Sequence, residues 1–176
     1  QAAHHPHLRP SLQVDVGFGD AVTPQPQTVA YPALLAGFVS PTLRVYPVYT
    51  VIAEKYQAMA VLGIANSRMK DFYDLAVIAE RTELAGATLA KAIAATFERR
   101  RTALPTEPPL ALRSAFAEDS AKQRQWGGFL ERNRLGARDL GRTVGTLYTL
   151  LWPPTQVASS GSPATARWHP ERQEWL

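Results

Sequence analysis

The sequence predicts an α+β protein, with a few short strands at the front and a helical bundle behind them. Three observations carry this. Period-two alternation of apolar residues is confined to the region before residue 47, at Leu12, Val14 and Val16 and again across Leu43–Tyr46. From Val48 onward apolar residues recur at helical spacing as far as Leu151. Hydrophobic residues make up 45% of the 176 and charged residues 19%, a balance that supports a buried core of ordinary size.

Taken in order, residues 1–10 carry three histidines and two prolines and are expected to be loop. Residues 11–17 form a strand whose Gln13 and Asp15 face away from its apolar side. Gly17-Phe18-Gly19-Asp20 then breaks the pattern, with Asp20 as a turn residue. Pro24 and Pro26 keep the next stretch extended, and 28–38 holds a short edge strand or a turn. Leu43–Tyr46 is a further strand, stopped by Pro47.

A helix runs from Val48 to about Leu62, with Thr50 available as its cap. After a tight Asn66-Ser67 turn, Ser67 caps a helix from Arg68 to about Arg81, whose stripe is Met69, Phe72, Leu75, Ala76 and Ala79. Gly86 opens a third helix over 87–101, ending in Arg99-Arg100-Arg101, where the helix dipole favours cations. A proline-rich loop covers 102–113. Ser114 or Ser120 caps the helix of Phe116, Trp126, Phe129 and Leu130. The last helix, 138–151, is ended by Pro153-Pro154. Three regions result: strands and loops over 1–47, a helical domain over 48–152, and an aperiodic tail over 153–176 expected to be disordered.

Bulk properties exclude several chemistries. No cysteine occurs, which removes disulfides, zinc–thiolate sites and thiol nucleophiles. No apolar run reaches the roughly 18 residues that span a bilayer, and the first ten lack the apolar stretch of a signal peptide. A cytoplasmic protein without membrane partners is expected. The chain begins with Gln1, as an internal or processed piece would. Net charge is +4 with an isoelectric point near 9.6, compatible with nucleic acid or nucleotide phosphates as partners.

The chemistry-bearing residues cluster between 53 and 75. Lys55 stands midway along one helix, and Asp71 and Asp74, three apart on the next, point the same way. A lysine reaching a shared cleft can hold phosphates as a point charge, and a neighbouring aspartate can accept a hydroxyl proton or orient an attacking group. An interhelix salt bridge is the plainer explanation. Arg68 and Lys70 flank a helix start that suits a phosphate, or form a solvated turn. Asp15 could supply an oxygen to Mg²⁺, or be ordinary strand surface. Arg99 to Arg101, Arg132, Arg134, Arg138 and Arg142 suit an RNA backbone as well as they suit solvated helix ends. His4, His5 and His7 lack a scaffold for metal.

At these residues the chain resembles the AbiEii/AbiGii nucleotidyl transferase toxins, abortive-infection proteins with a polymerase-β-like core. The likeness is carried by VDVGFGDAVTP (14–24), VYPVYTVIAEKYQAM (45–59) and NSRMKDFYDL (66–75). It continues through ATLAKAIAATFERRRTALPTEPPLAL (87–112) and FAEDSAKQRQWGGFLERN (116–133). It covers roughly 14–135, and AEK followed by KDxxDL is fairly specific in this order. The resemblance implies site roles for Asp15 as a Mg²⁺ ligand, Lys55 on NTP phosphates, and Asp71 as the orienting carboxylate supported by Asp74; Arg68 and Lys70, from their place at the helix start, are the further candidates for those phosphates. It implies nucleotide transfer from an NTP to an acceptor, in some members the end of a tRNA, by a toxin restrained by an antitoxin.

One departure is large. The family carries an upstream Gly-Gly-Thr or Gly-Ser turn and an Asp-x-Asp strand whose carboxylates hold the metal ions. No Asp-x-Asp occurs in this sequence; Asp15-Val16-Gly17 is not one. The chain therefore matches the back half of such an enzyme, a remnant of the polymerase-β-like sheet followed by helices. Alone it is expected to be inactive, with the missing N-terminal half or a cognate antitoxin as partner. The alternative is a non-enzymatic helical module that binds RNA or protein, or an inactive remnant.

Overall fold

The strands Gln27–Ala30 (β1) and Thr42–Val45 (β2) pair antiparallel, Gln27 opposite Val45 and Ala30 opposite Thr42, in the computed structural model of the chain. The structure describes residue 19 and residues 21–176. The strand expected at 11–17 with its Asp15, the turn residue Asp20, and His4, His5 and His7 lie outside the described residues. β1 and β2 overlap the segments 28–38 and 43–46 where the sequence allows strands, each starting one residue earlier. Residues 31–41 connect them with every side chain exposed, and Tyr31 N–H donates to the Pro41 carbonyl at 2.8 Å.

Pro47 then sets the start of Val48–Leu62 (α1). Thr50, the expected cap, is already inside the helix and buried. Its hydroxyl accepts from Thr23 N–H at 2.9 Å and lies 3.0 Å from the Thr23 carbonyl, so it fastens the preceding segment to α1. Met69–Arg81 (α2) follows a single 3₁₀ turn. Asn66 replaces Ser67 as its N-terminal partner: Asn66 Oδ1 accepts from Arg68 N–H at 2.9 Å. An Asx turn of this kind satisfies a helix-entry donor as a cap does.

Leu84–Ala85 (β3) leads directly into Gly86–Arg99 (α3). Ser114–Glu118 (α4) and Ser120–Arg132 (α5) form two helices where the sequence suggested one. The cap between them is Asp119, whose Oδ1 accepts from the amides of Ala121 and Lys122, both at 2.9 Å. Leu140–Ser160 (α6), capped by Asp139, packs against α2, α3 and α4, while α3 also covers α1. Tyr56 meets Phe97 and Phe72 stacks on Phe116 in the core these helices share.

α6 corrects the expectation at the tail. It does not end at Pro153-Pro154 but runs through them. Proline at 153 has no N–H for the carbonyl of Thr149, four residues earlier. That carbonyl instead accepts from Trp175 Nε1 at 3.0 Å. Beyond α6 the segment expected to be disordered forms Arg167–His169 (β4) and Glu174–Trp175 (β5), antiparallel to each other and completing a three-stranded sheet with β3. Trp168 is fully buried and its Nε1 donates to the Ala79 carbonyl in the last turn of α2 at 2.8 Å. Two indoles thus satisfy two helix carbonyls that would otherwise be orphaned. Local composition hid this, because two tryptophans among Ser, Pro and Arg show no periodicity.

The α+β expectation holds: two small sheets beside a helical bundle.

Candidate functional site

Lys55 lies beside the buried stripe of α1, one residue before Tyr56 and three after Ile52, at the border that faces α2. On α2 the apolar stripe of Met69, Phe72, Leu75, Ala76 and Ala79 turns inward, which leaves Asp71 and Asp74 on its flank. Lys55 Nζ donates to Asp71 Oδ1 at 2.5 Å and to Asp74 Oδ2 at 2.9 Å. Lys70 Nζ, one turn before Asp74, reaches the same Oδ2 at 2.5 Å. The structure therefore brings together Lys55, Asp71 and Asp74, the group that helical spacing suggested, and adds Lys70, which the sequence had placed with Arg68 at a helix start.

Burial decides how strong this group is. The Lys55 and Asp71 side chains are 19% and 15% exposed, so their attraction is screened far less than that of a surface pair. Burial alone would lower the lysine pKa, but hydrogen bonds and charge from Asp71 and Asp74 outweigh it and hold the ammonium above its ordinary value. For Asp74 burial acts in the opposite sense, and hydrogen bonds from Lys70 and Lys55 hold the carboxyl below its usual range. All of this favours a fixed, charged lysine at neutral pH.

The arrangement has two chemical capacities. A rigid ammonium is a point charge suited to a phosphate oxygen. Asp71 uses Oδ1 for Lys55, and Oδ2 has no hydrogen-bond partner among the described residues, so it can accept a proton or hydrogen bond from an incoming hydroxyl. A metal fits less well. No group of three or more His, Asp or Glu side chains among the described residues could hold one, and Asp71 and Asp74 are already neutralised by lysines. Asp15 lies outside the described residues.

The remaining cations divide. Arg138 makes a bidentate pair with Glu80 at 2.7 and 2.9 Å, and Arg100 donates to Gln57 Oε1 at 2.9 Å, so both serve packing. Arg99 Nε donates to the Gly19 carbonyl. The side chain of Arg68 makes no hydrogen bond among the described residues, and it lines a separate cleft with Lys70 and Arg132. Sequence reasoning missed Lys122, which is buried on α5 and donates to the Asn66 carbonyl at 3.0 Å. A signal was present: Lys122 stands four and eight residues before Trp126 and Leu130, on their inward stripe. No helix among the described residues is long and apolar enough to cross a membrane.

The family described as "Nucleotidyl transferase AbiEii toxin, Type IV TA system" matches residues 2–154. No curated protein and no solved structure matches the chain. The Lys55 and Asp71 group falls well inside the matched region, and the match covers most of the chain. The chain belongs to the AbiEii nucleotidyl transferase toxins of type IV toxin–antitoxin systems.

Proposed function

We propose that this chain carries the lysine and orienting carboxylate of a nucleotide transfer from an NTP to an RNA acceptor such as tRNA. Lys55 contacts the NTP phosphates, Asp71 orients the attacking hydroxyl, and Asp74 fixes the lysine. The observation that carries this reading is the half-buried Lys55, held at 2.5 Å by a carboxylate whose second oxygen has no hydrogen-bond partner among the described residues. Mg²⁺ belongs to the proposal through Asp15, as does a cognate antitoxin as partner and a cytoplasmic setting, where NTPs and RNA occur together. The absence of any Asp-x-Asp from the sequence makes transfer by these residues alone weak, and a partner supplying that half would raise it.

Incubation with labelled NTPs, RNA and Mg²⁺, with and without such a half, tests the reading. Asp71→Asn should cut labelling by about a hundredfold or more, the usual scale for a positioned acid–base group. Equal labelling by wild type and Asp71→Asn would remove Asp71 from the mechanism.

A second reading, a non-enzymatic binding module or inactive remnant, is favoured by the apolar side chains in and around the β1–β2 connection. Leu34, Phe38 and Val39 are 84%, 70% and 91% exposed there. It predicts binding that neither Lys55→Ala nor Asp71→Asn disturbs.

A further inference from the structure

An open cleft of about 400 Å³ lies between the first turn of α2 and the outer face of α5. Arg68 and Lys70 line it from one side and Gln125, Phe129 and Arg132 from the other; Lys70 is paired with Asp74, which leaves Arg68 and Arg132 as the cations not paired with a carboxylate among the described residues. Arg132 Nε donates to the Gly128 carbonyl at 3.0 Å, which leaves both Nη groups without a partner among the described residues. Phe129 is backed by Trp126 at 5.8 Å and Tyr73 at 5.9 Å and is only partly buried, so a braced aromatic ring borders the cleft.

A second, independent observation points to an anion. Lys122, behind the cleft, is 5% exposed. Its ammonium donates to the Asn66 carbonyl and to Gln125 Oε1, both at 3.0 Å, and sits 5.6 Å from the Phe116 ring centre. These acceptors are neutral, and no carboxylate lies within ion-pair distance of Lys122 among the described residues. Asp119, the nearest acid in sequence, directs Oδ1 to backbone amides. A buried cation without a counter-ion is costly and raises the positive potential of the surface above it. Beside it, Asn66 Nδ2 is buried without a hydrogen-bond partner among the described residues.

We propose that this cleft binds one nucleotide of a single-stranded nucleic acid, its phosphate against Arg68 and Arg132 and its base on Phe129. The assignment rests on the proposed transfer activity in one respect: in that reading the strand held here is the acceptor whose end Asp71, on the same first turn of α2, orients. A phosphate with a stackable base could also come from the free NTP. The strand is the better fit, because Lys55 already meets the NTP phosphates in that reading and the cleft is a second cationic site supplied partly by another helix.

Fluorescence anisotropy of a short labelled oligoribonucleotide, and separately of a fluorescent NTP, tests this on the full chain. The variants are Arg132→Gln and Phe129→Leu, the latter keeping an apolar filler against Trp126 and Tyr73, with Arg113→Gln as a control outside the cleft. Arg132→Gln should weaken oligonucleotide binding roughly three- to tenfold and lower the salt slope by about one. Phe129→Leu should weaken it about five- to a hundredfold, with little change in that slope. Arg113→Gln should do neither, and NTP binding should be unchanged in all three. Loss of NTP binding in the cleft variants, with or without loss of the oligonucleotide, would overturn the strand assignment. So would a wild type that binds no oligonucleotide, or cleft variants that behave like Arg113→Gln. NTP transfer or binding that depends on Lys55 is read separately, so failure of the cleft and failure of the transfer reading are distinguishable.

Discussion

At Lys55 two carboxylates share one ammonium, and the stability this adds depends on both signs of charge being present. The Asp74 carboxyl titrates below its ordinary value of 3.8 in the folded protein. Its contribution is therefore complete above that ordinary value and is lost as pH falls through the lower, folded one. The lysine titrates above its ordinary 10.5, so its contribution is complete below 10.5 and is lost as pH rises through the folded value. Thermal melting across pH should show a plateau between these limits, with an acid limb that Asp74→Asn makes shallower. An unaltered acid limb in Asp74→Asn would mean that other carboxylates govern acid unfolding. The pairing of Lys55 with the KDxxDL aspartates was legible in the sequence because helical spacing fixes which side chains share a face. The identity of the α2 entry residue was not, since Asn66 and Ser67 are both good candidates and only backbone direction separates them.

Among the elements, α6 shows how a remote contact sets a boundary. Pro153 and Pro154 are strong local signals to end a helix, yet the ladder continues because an indole from β5 takes over the Thr149 carbonyl. Trp175→Phe keeps the ring packed on Trp168 and removes only the donor. It should cost about 1 kcal/mol in urea unfolding, the scale of one hydrogen bond lost from a partly buried acceptor. Amide exchange should quicken over 155–160 while α3 is little changed. Equal protection in the variant would show that the helix end needs no such donor. Gly86 belongs to the same corner: a Cβ there would lie 2.9 Å from the Ala166 carbonyl and 3.4 Å from the Trp175 ring, so only glycine lets β3 turn into α3 beneath the sheet.

For the molecule as a whole, the last sixteen residues act as part of the core. Removing 161–176 takes away the buried Trp168, its bond to the end of α2, and the donor for Thr149. Loss of the tryptophan alone should cost about 3–5 kcal/mol, a large share of a typical domain's stability. The truncated chain should unfold at markedly lower urea, and an unchanged midpoint would show that the tail packs without stabilising. The sequence by itself determined the α+β class with strands ahead of α1, the starts of α1 and α3 to within a residue or so, and the Lys55, Asp71 and Asp74 group. Those features rest on periodicity and on spacing within one or two helices, which the local chain dictates. Only the tertiary structure decided that α6 passes through two prolines, that the tail closes a sheet on β3, and that Lys122 is buried behind a basic cleft. Each depends on a donor, ring or carbonyl brought from tens of residues away, and no local pattern encodes a partner that distant.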